Sequence, residues 1–328
     1  NPMSATKVML GCRLFFDTRL SINGVYSCAT CHRPELAFTD GRALAIGTTG
    51  ETVRRSSMSL TNVAYNPAYN WASDKTVTLE SQITRPLFGK HPVEMGLREG
   101  DSAVLATLAK DQYYSSAFHQ SFPNESTPLS MANLVKAIAA FERTLISGRS
   151  TFDRYVFDDD RVAMSASAQR GMALFYAKAG CADCHSGINF SGPIVHAQSA
   201  GVRPSFANTG LYNQDGRGRY PDADLGLIEE SGKASDMGKF RVPSLRNIAL
   251  TAPYMHDGSV TTLEDVLAHY ATGGRQSPHG HTANNRYKDS NIRALALDER
   301  EKREIIAFLH SLTDADFINA PKNRCAVR

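Results

Sequence analysis

The chain has 328 residues, of which 42% are hydrophobic and 21% are charged. Its 36 Lys and Arg residues nearly balance 33 Asp and Glu residues, so the formal net charge is only +3. These values exclude a disordered chain and a strongly basic nucleic-acid-binding protein, and no apolar run approaches the roughly 20 residues that span a bilayer. The length predicts about two domains.

The predicted elements are mainly helices, and two segments of the chain have related sequences. Residues 11–16 (GCRLFF) and 171–176 (GMALFY) share the pattern G-x-x-L-F-aromatic. Self-similarity of this kind indicates an internal duplication. We therefore expect a mainly α protein with two similar domains, residues 1–150 and 151–328. The stretch 148–163 between them is predicted to be a linker.

Further helices are indicated by apolar spacing and by capping patterns. One helical face is predicted from apolar residues at i, i+4, i+7 and i+11: Leu134, Ile138, Phe141 and Leu145. Residues 261–264 (TTLE) have the pattern of a capping box that opens a helix running towards Tyr270. Residues 298–301 (DERE) have the same pattern before the last helix. The span 187–243 is rich in Gly, Ser and Asn and predicts long loops.

Four of the six cysteines belong to two C-x-x-C-H motifs, Cys28–His32 (CATCH) and Cys181–His185 (CADCH). In this motif the two thiols add to the vinyl groups of one haem, and the adjacent His becomes the iron ligand. Zinc ribbons place their C-x-x-C pairs roughly 15–20 residues apart, whereas these pairs are about 150 residues apart. A thiol redox motif does not require the His. The sequence therefore predicts two covalent c-type haems, with His32 and His185 on the irons. We expect two cytochrome-c-like haem domains, with the peroxidatic haem in residues 1–150 and the electron-transfer haem in residues 151–328.

Haem attachment of this type occurs outside the cytoplasm, which predicts an exported, periplasmic protein. The first residues, NPMS, contain no apolar signal core, so we expect the leader to be absent from this chain. Cys12 and Cys325 lie outside both motifs. They either form a disulfide in an oxidising compartment or remain unpaired, and the sequence leaves both alternatives open.

The residue on the second axial face of each haem separates catalysis from electron transfer. No His lies between His32 and His91, so the first haem is predicted to be open to peroxide. A distant His or Met58 is the alternative ligand for that haem.

Several segments resemble the bacterial di-haem cytochrome c peroxidase and MauG superfamily over nearly the whole chain. Besides both haem motifs, they are residues 14–17 (LFFD), 92–96 (PVEMG), 241–247 (RVPSLRN) and 251–259 (TAPYMHDGS). Within the superfamily, residues 37–41 (AFTDG) and 88–94 (FGKHPVE) are most similar to the MbnH-type enzymes. Those enzymes accompany copper-binding proteins and oxidise a partner tryptophan to kynurenine.

The resemblance implies the axial ligands. Conventional members carry a loop His that caps the first haem, but residues 47–60 contain none, as in MauG. At the position where conventional members have a Met ligand to the second haem, this chain has Tyr270, as MauG-type enzymes do. A phenolate ligand favours ferric and higher iron states. His269 and Met255 are the rival ligands.

The resemblance also implies a peroxide pocket. Glu94 would move the peroxide proton, Gln82 would hydrogen-bond the bound oxygen, and Pro86 would keep the pocket small and apolar. His91 is a weaker candidate for a second proton carrier. Trp71, the only tryptophan, would carry charge between the haems, although a lone Trp is most often a core residue.

The resemblance further implies one calcium ion between the haem domains. Its protein ligands would be the side chain of Asn62 and the backbone oxygens of Thr251 and Pro253. Oxygen-only ligation suits calcium.

Together these features predict a MauG-like and MbnH-like di-haem oxidoreductase. It would use hydrogen peroxide to form a bis-Fe(IV) state and oxidise a tryptophan of a periplasmic partner, such as a copper-binding protein, by long-range electron transfer. The first alternative is a conventional cytochrome c peroxidase fed by a small cytochrome c or cupredoxin, which Met255 or Met237 as ligand would favour. The second is a di-haem electron carrier with two six-coordinate irons and no reaction with peroxide.

Overall fold

The computed structural model describes residues 1–275 and 285–325. The described part of the chain is mainly helical, with long irregular loops, and its strands β1 (Phe206–Ala207) and β2 (Phe240–Arg241) form one antiparallel pair. The α-helices are α1 (Ala5–Phe15), α2 (Cys28–Cys31), α3 (Leu79–Phe88), α4 (Ser102–Ala109), α5 (Gln112–Ser121), α6 (Met131–Glu142), α7 (Thr151–Phe157), α8 (Ala166–Tyr176), α9 (Ile228–Ser231), α10 (Leu263–Ala271), α11 (Glu299–Ser311) and α12 (Ala315–Asn319). In these residues no helix combines the length and apolar character needed to cross a membrane.

The first hydrophobic cluster is centred on the crossing of α1 and α6. A Cβ atom on Gly11 would lie only 1.8 Å from the carbonyl oxygen of Ala137, so the close crossing requires glycine there. Leu134, Ile138 and Phe141 are buried on one face of α6, as their spacing predicts, and Leu145 is buried just beyond the helix end.

The second cluster repeats this arrangement with α8 and α11. A Cβ atom on Gly171 would lie 1.8 Å from the carbonyl oxygen of Glu304. The equivalent glycine crossings show that the repeated G-x-x-L-F-aromatic pattern lies in equivalent helices, as an internal duplication predicts. The capping box that opens α11 is also confirmed, because Asp298 and Glu301 bond reciprocally to each other's backbone N–H groups.

Two expectations from the sequence need correction. Helix α10 does run through Tyr270, but its N-cap is Thr262, which accepts from the N–H of Asp265, so the cap lies one residue later than predicted. The stretch 148–163 is not a plain linker, because it contains α7. Phe152 of that helix is buried in the second cluster. This burial anchors the helix although the residues that follow it are polar.

The two clusters share chain segments. Phe317 of α12 packs in the first cluster, and Ala72 packs in the second. A disulfide joins Cys12 of α1 to Cys325, with the Cα atoms 5.8 Å apart, which resolves the alternatives that the sequence left open. The division into domains 1–150 and 151–328 stays a prediction.

A second internal repeat becomes visible in the backbone. The sequences MSLTNVAY and PSLRNIAL are centred on Asn62 and Asn247, which have left-handed φ values of 54° and 59°. Each Asn precedes a short 3-10 helix. The N–H of Asn62 donates to the carbonyl of Leu145 beyond α6, and the N–H of Asn247 donates to that of Leu312 beyond α11. The duplication therefore extends to the loops that border the haem motifs.

Candidate active site

Each C-x-x-C-H motif lines its own cavity. The first cavity contains Cys28, Cys31 and His32 and encloses about 1460 Å³, part of it open to solvent. The second contains the motif 181–185 and encloses about 1350 Å³ on the same measure. The four motif thiols are not bridged to one another, so they are available for thioether bonds. Space, thiols and imidazole at both places fit a covalently attached haem.

The two motif histidines are held in the same way. Nδ1 of His32 donates to the carbonyl of Phe38 at 2.8 Å, and Nδ1 of His185 donates to the carbonyl of Phe190 at 2.8 Å. A carbonyl only accepts, so the proton lies on Nδ1 and the lone pair on Nε2 is left for a metal. Burial lowers the pKa of both imidazoles, which favours the neutral form that ligates iron.

Phe38 and Phe190 are functional residues that the sequence analysis missed. Both are fully buried, with left-handed φ values of 64° and 51° that aim their carbonyls at the histidines. This conformation is rare for a bulky residue, so it is held by the surrounding packing. The available signal was a Phe followed by a hydroxyl residue shortly after each motif, F-T-D-G at 38–41 and F-S-G at 190–192.

Helix α3 presents Gln82 and Pro86 to the first cavity, one turn apart on the same face. Oε1 of Gln82 is buried and has no hydrogen-bond partner among the described residues. Glu94 lines the same cavity, and burial raises the pKa of its carboxyl. The N–H of Met95 donates to the carbonyl of Pro86 at 3.0 Å, which fixes the Glu94 loop against α3. The structure therefore brings Gln82, Pro86 and Glu94 together.

A second loop holds Glu94 from the other side. The N–H of Thr48 donates to the carbonyl of Glu94 at 2.8 Å, and a Cβ atom on Gly47 would lie 1.9 Å from the carbonyl oxygen of Val93. His91 is exposed and does not line the cavity, so its placement gives no support to a role as a second proton carrier.

Trp71 lines both cavities. Its indole Nε1 donates to the carbonyl of Ser56 at 2.8 Å, and its own carbonyl accepts from the N–H of Arg241 at 2.7 Å. Arg241 also lines both cavities. The two residues therefore form part of the wall between the motifs.

Tyr270, near the end of α10, lines the second cavity. Burial raises the pKa of its hydroxyl. Its neighbour His269 is not part of the lining, and its Nε2 is bonded to the carbonyl of Thr209 at 3.0 Å. Met255 does line the cavity, whereas Met237 is buried outside the lining.

The three proposed calcium ligands differ in their hydrogen bonding. The carbonyls of Thr251 and Pro253 accept no hydrogen bond within the described ranges. The amide of Asn62, however, is engaged at both ends. Its Oδ1 accepts from the N–H of Ser147 at 2.7 Å, and its Nδ2 donates to Ser147 and Asn189. An amide oxygen has two lone pairs, and the bond from Ser147 uses one of them, so the calcium site stays a prediction. We derive no step through calcium.

Comparison with known proteins gives consistent results. The family model described as di-haem cytochrome c peroxidase matches residues 5–161. The methylamine utilization protein MauG of Methylorubrum extorquens is 34% identical over 312 residues, which cover 95% of this chain and 79% of that protein. The cytochrome-c peroxidase IdrP1 of Denitromonas iodatirespirans is 35% identical over 335 residues, covering 95% and 83%.

One solved structure matches over the full length. The crystal structure of a MauG-like protein associated with microbial copper homeostasis superposes with a TM-score of 0.95 at 42% identity, covering 100% of this chain and 95% of that one. The fold, the two c-type haem sites and the relatives agree. The chain belongs to the di-haem cytochrome c peroxidase and MauG family of oxidoreductases.

Proposed function

We propose that this protein uses hydrogen peroxide to oxidise a tryptophan of a periplasmic partner protein, to kynurenine or a related product. The observation that carries the proposal is the lining of the second cavity, which contains Tyr270, a residue whose hydroxyl pKa is raised by burial. A conventional peroxidase needs a second haem with a fairly high reduction potential. A Met ligand raises the reduction potential of a haem, whereas a phenolate ligand lowers it.

Haem held at each motif supplies the iron that activates peroxide and stores the oxidising equivalents. The chain supplies the proton chemistry in the first cavity. The Glu94 carboxylate takes the proton from one oxygen of peroxide and returns it to the other oxygen, which then leaves as water. Oε1 of Gln82, which has no partner among the described residues, is placed to accept a hydrogen bond from the peroxide O–H. The Pro86 ring limits the space left for water.

Access to the first cavity also supports the proposal. The wall formed by residues 47–60 contains no His, so it offers no imidazole to cap the haem. Met58, the alternative ligand, lines this wall with its Sδ 3.8 Å from Nη2 of Arg241. That contact places the thioether against the guanidinium, which favours an open first site.

Trp71 is the proposed charge carrier between the sites. Its ring lies in the wall shared by both cavities, and its N–H is fixed by Ser56. An oxidisable aromatic in that position lets one peroxide molecule oxidise both sites. A partner protein is too large to enter either cavity, so its tryptophan is oxidised by long-range electron transfer.

The partner and compartment follow from chemistry and from the relatives. MauG is named for methylamine utilization, and the structural relative is described as associated with copper homeostasis. We extend the proposal to a copper-binding partner on that basis. Covalent haem attachment of this type occurs outside the cytoplasm, and the Cys12–Cys325 disulfide fits an oxidising compartment, so both favour the periplasm.

The experiment incubates the di-haem protein with candidate copper-binding partners and stoichiometric hydrogen peroxide. Mass spectrometry of the partner should show conversion of a tryptophan to kynurenine or a related product. The second candidate function is a conventional peroxidase, which Met255 in the lining of the second cavity favours. Rapid peroxide-dependent oxidation of reduced cytochrome c or cupredoxin, with every partner tryptophan intact, would replace the proposal by that candidate.

A further inference from the structure

Arg241 is a buried cation without a counter-ion in the described chain. Its side chain is only 5% exposed, and its Nε is buried without a hydrogen-bond partner among the described residues. The one side-chain contact of its guanidinium there is with Met58 Sδ, at 3.8 Å from Nη2. Arg246, five residues later, is equally buried but pairs with Asp153 at 2.5 Å. An unpaired buried guanidinium is strongly unfavourable, so Arg241 requires an anion that the protein does not supply.

The position of Arg241 identifies where that anion lies. The residue belongs to β2 and lines both haem cavities, and its backbone N–H is fixed to the carbonyl of Trp71. Burial lowers the pKa of its guanidinium to about 10, and no Asp or Glu lies within ion-pair distance in the described residues. The missing counter-ion must therefore occupy one or both cavities.

The other arginines at the first cavity are already neutralised. Arg55 forms two bonds of 2.7 Å to Asp224, and Arg54 pairs with Glu229 at 2.7 Å. Arg241 is thus the arginine of this lining that forms no ion pair with the described residues.

A c-type haem is fixed through its vinyl groups and keeps two propionate carboxylates. We propose that Arg241 is the shared counter-ion of the propionates of both haems and sets the reduction potential of both sites. Guanidinium matches carboxylate geometry and is the residue type suited to such buried pairs. The inference rests on the two haem sites and is independent of the proposed partner oxidation.

The charge of Arg241 has a definite electrostatic consequence. A nearby positive charge stabilises the reduced haem, which has one electron more than the oxidised haem. Because the guanidinium is buried, solvent and salt screen it weakly. Replacing it by a neutral side chain should lower the potential of both haems.

The test is spectroelectrochemical titration of the di-haem protein and three variants. In Arg241→Met the ratio of oxidised to reduced haem at a fixed potential should rise at least tenfold at both sites, a downward shift of about 59 mV or more for a one-electron couple. Arg241→Lys keeps the charge and should restore both potentials to within a threefold change in that ratio. Arg13→Met is the matched control, because Arg13 stacks on Tyr113 outside both cavities, and it should shift neither.

Unchanged potentials in Arg241→Met, or a shift at one haem alone, would overturn the shared role. If Arg241→Met does not retain both haems, a crystal structure of the unmodified di-haem protein tests the proposal instead. It should place the Arg241 guanidinium within 3.5 Å of a propionate oxygen of each haem, and a guanidinium that reaches only one haem or neither would refute the proposal.

Discussion

Asn62 and Asn247 make equivalent contacts in the two halves of the molecule. Oδ1 of Asn62 accepts from the N–H of Ser147 at 2.7 Å, and Oδ1 of Asn247 accepts from the N–H of Asp314 at 2.8 Å. Each amide thereby ties a haem-bordering loop to the segment that follows α6 or α11. The equivalence indicates that Asn62 is a structural residue.

Asn62→Ala should therefore lower the free energy of unfolding by about 1–3 kcal/mol, the usual loss when a buried hydrogen-bond partner is removed. Asn247→Ala is its natural counterpart and should lose a similar amount. Denaturant unfolding with and without excess chelator measures both. If the loss in Asn62→Ala disappears in chelator, while that in Asn247→Ala remains, Asn62 acts through calcium and this interpretation is wrong.

The Cys12–Cys325 disulfide closes nearly the whole chain, with a sequence separation of 313. Bridges that close long loops stabilise mainly by constraining the unfolded chain. The double variant Cys12→Ser/Cys325→Ser should lose about 2–5 kcal/mol of unfolding free energy. A mild reductant should lower the melting temperature of the unmodified protein and leave that of the double variant unchanged; equal sensitivity of the two would contradict the prediction.

Peroxide reactivity should depend on the protonation of Glu94. Burial raises the pKa of its carboxyl above the usual value of 4.5, and proton abstraction needs the carboxylate. The rate constant for reaction with peroxide should therefore rise with pH through this elevated pKa and level off above it. Stopped-flow absorbance across a pH series measures it.

Glu94→Gln should lower the peroxide rate constant by about 10²–10⁴-fold and remove the rise with pH. His91→Gln is a suitable control, because His91 is exposed and outside the cavity lining, and it should leave both rate and profile unchanged. A Glu94→Gln variant with the original rate and pH dependence would exclude Glu94 as the proton carrier.

Trp71 should be needed for sharing of the oxidising equivalents. Trp71→Phe keeps an aromatic ring in the wall but is harder to oxidise and loses the bond to Ser56. After one equivalent of peroxide we expect the optical and EPR spectra to change at the first haem alone, with partner oxidation lost. Simultaneous change at both haems in this variant would show that charge passes by another route.

Tyr270→Phe should retain both covalent haems, since Cys181, Cys184 and His185 remain. Partner oxidation should be abolished, because the phenol oxygen proposed to favour the higher iron states is gone. The visible spectrum of the second haem checks that the haem is retained, and mass spectrometry of the partner checks that its oxidation is lost. Unaltered partner turnover would remove Tyr270 from the mechanism.

The parts that sequence predicts best are those specified by short, local patterns. The two C-x-x-C-H motifs and the α11 capping box depend on residues within one or two turns, and both can be read directly. The crossing glycines, Gly11 and Gly171, were visible as a repeat, although their physical reason, the 1.8 Å approach to a backbone carbonyl, required the packed helices.

The remaining features depend on long-range packing. Phe38 and Phe190 act through carbonyls aimed by a left-handed backbone, which the side-chain type does not reveal. Arg241 lacks an acidic partner such as the one that Arg246 has in Asp153, which is distant in sequence. Helix α7 lies in a stretch whose polar composition predicts a linker, and only the packed structure shows that Phe152 on this helix is buried.

The most direct test of the account is low-temperature EPR of the ferric di-haem protein before and after one equivalent of hydrogen peroxide. With an open first site and shared oxidation of both sites, we expect one high-spin and one low-spin haem, with both signals lost on peroxide addition without any reductant. Two low-spin haems that do not react with peroxide until one of them is reduced would contradict the open first site and establish a conventional peroxidase instead.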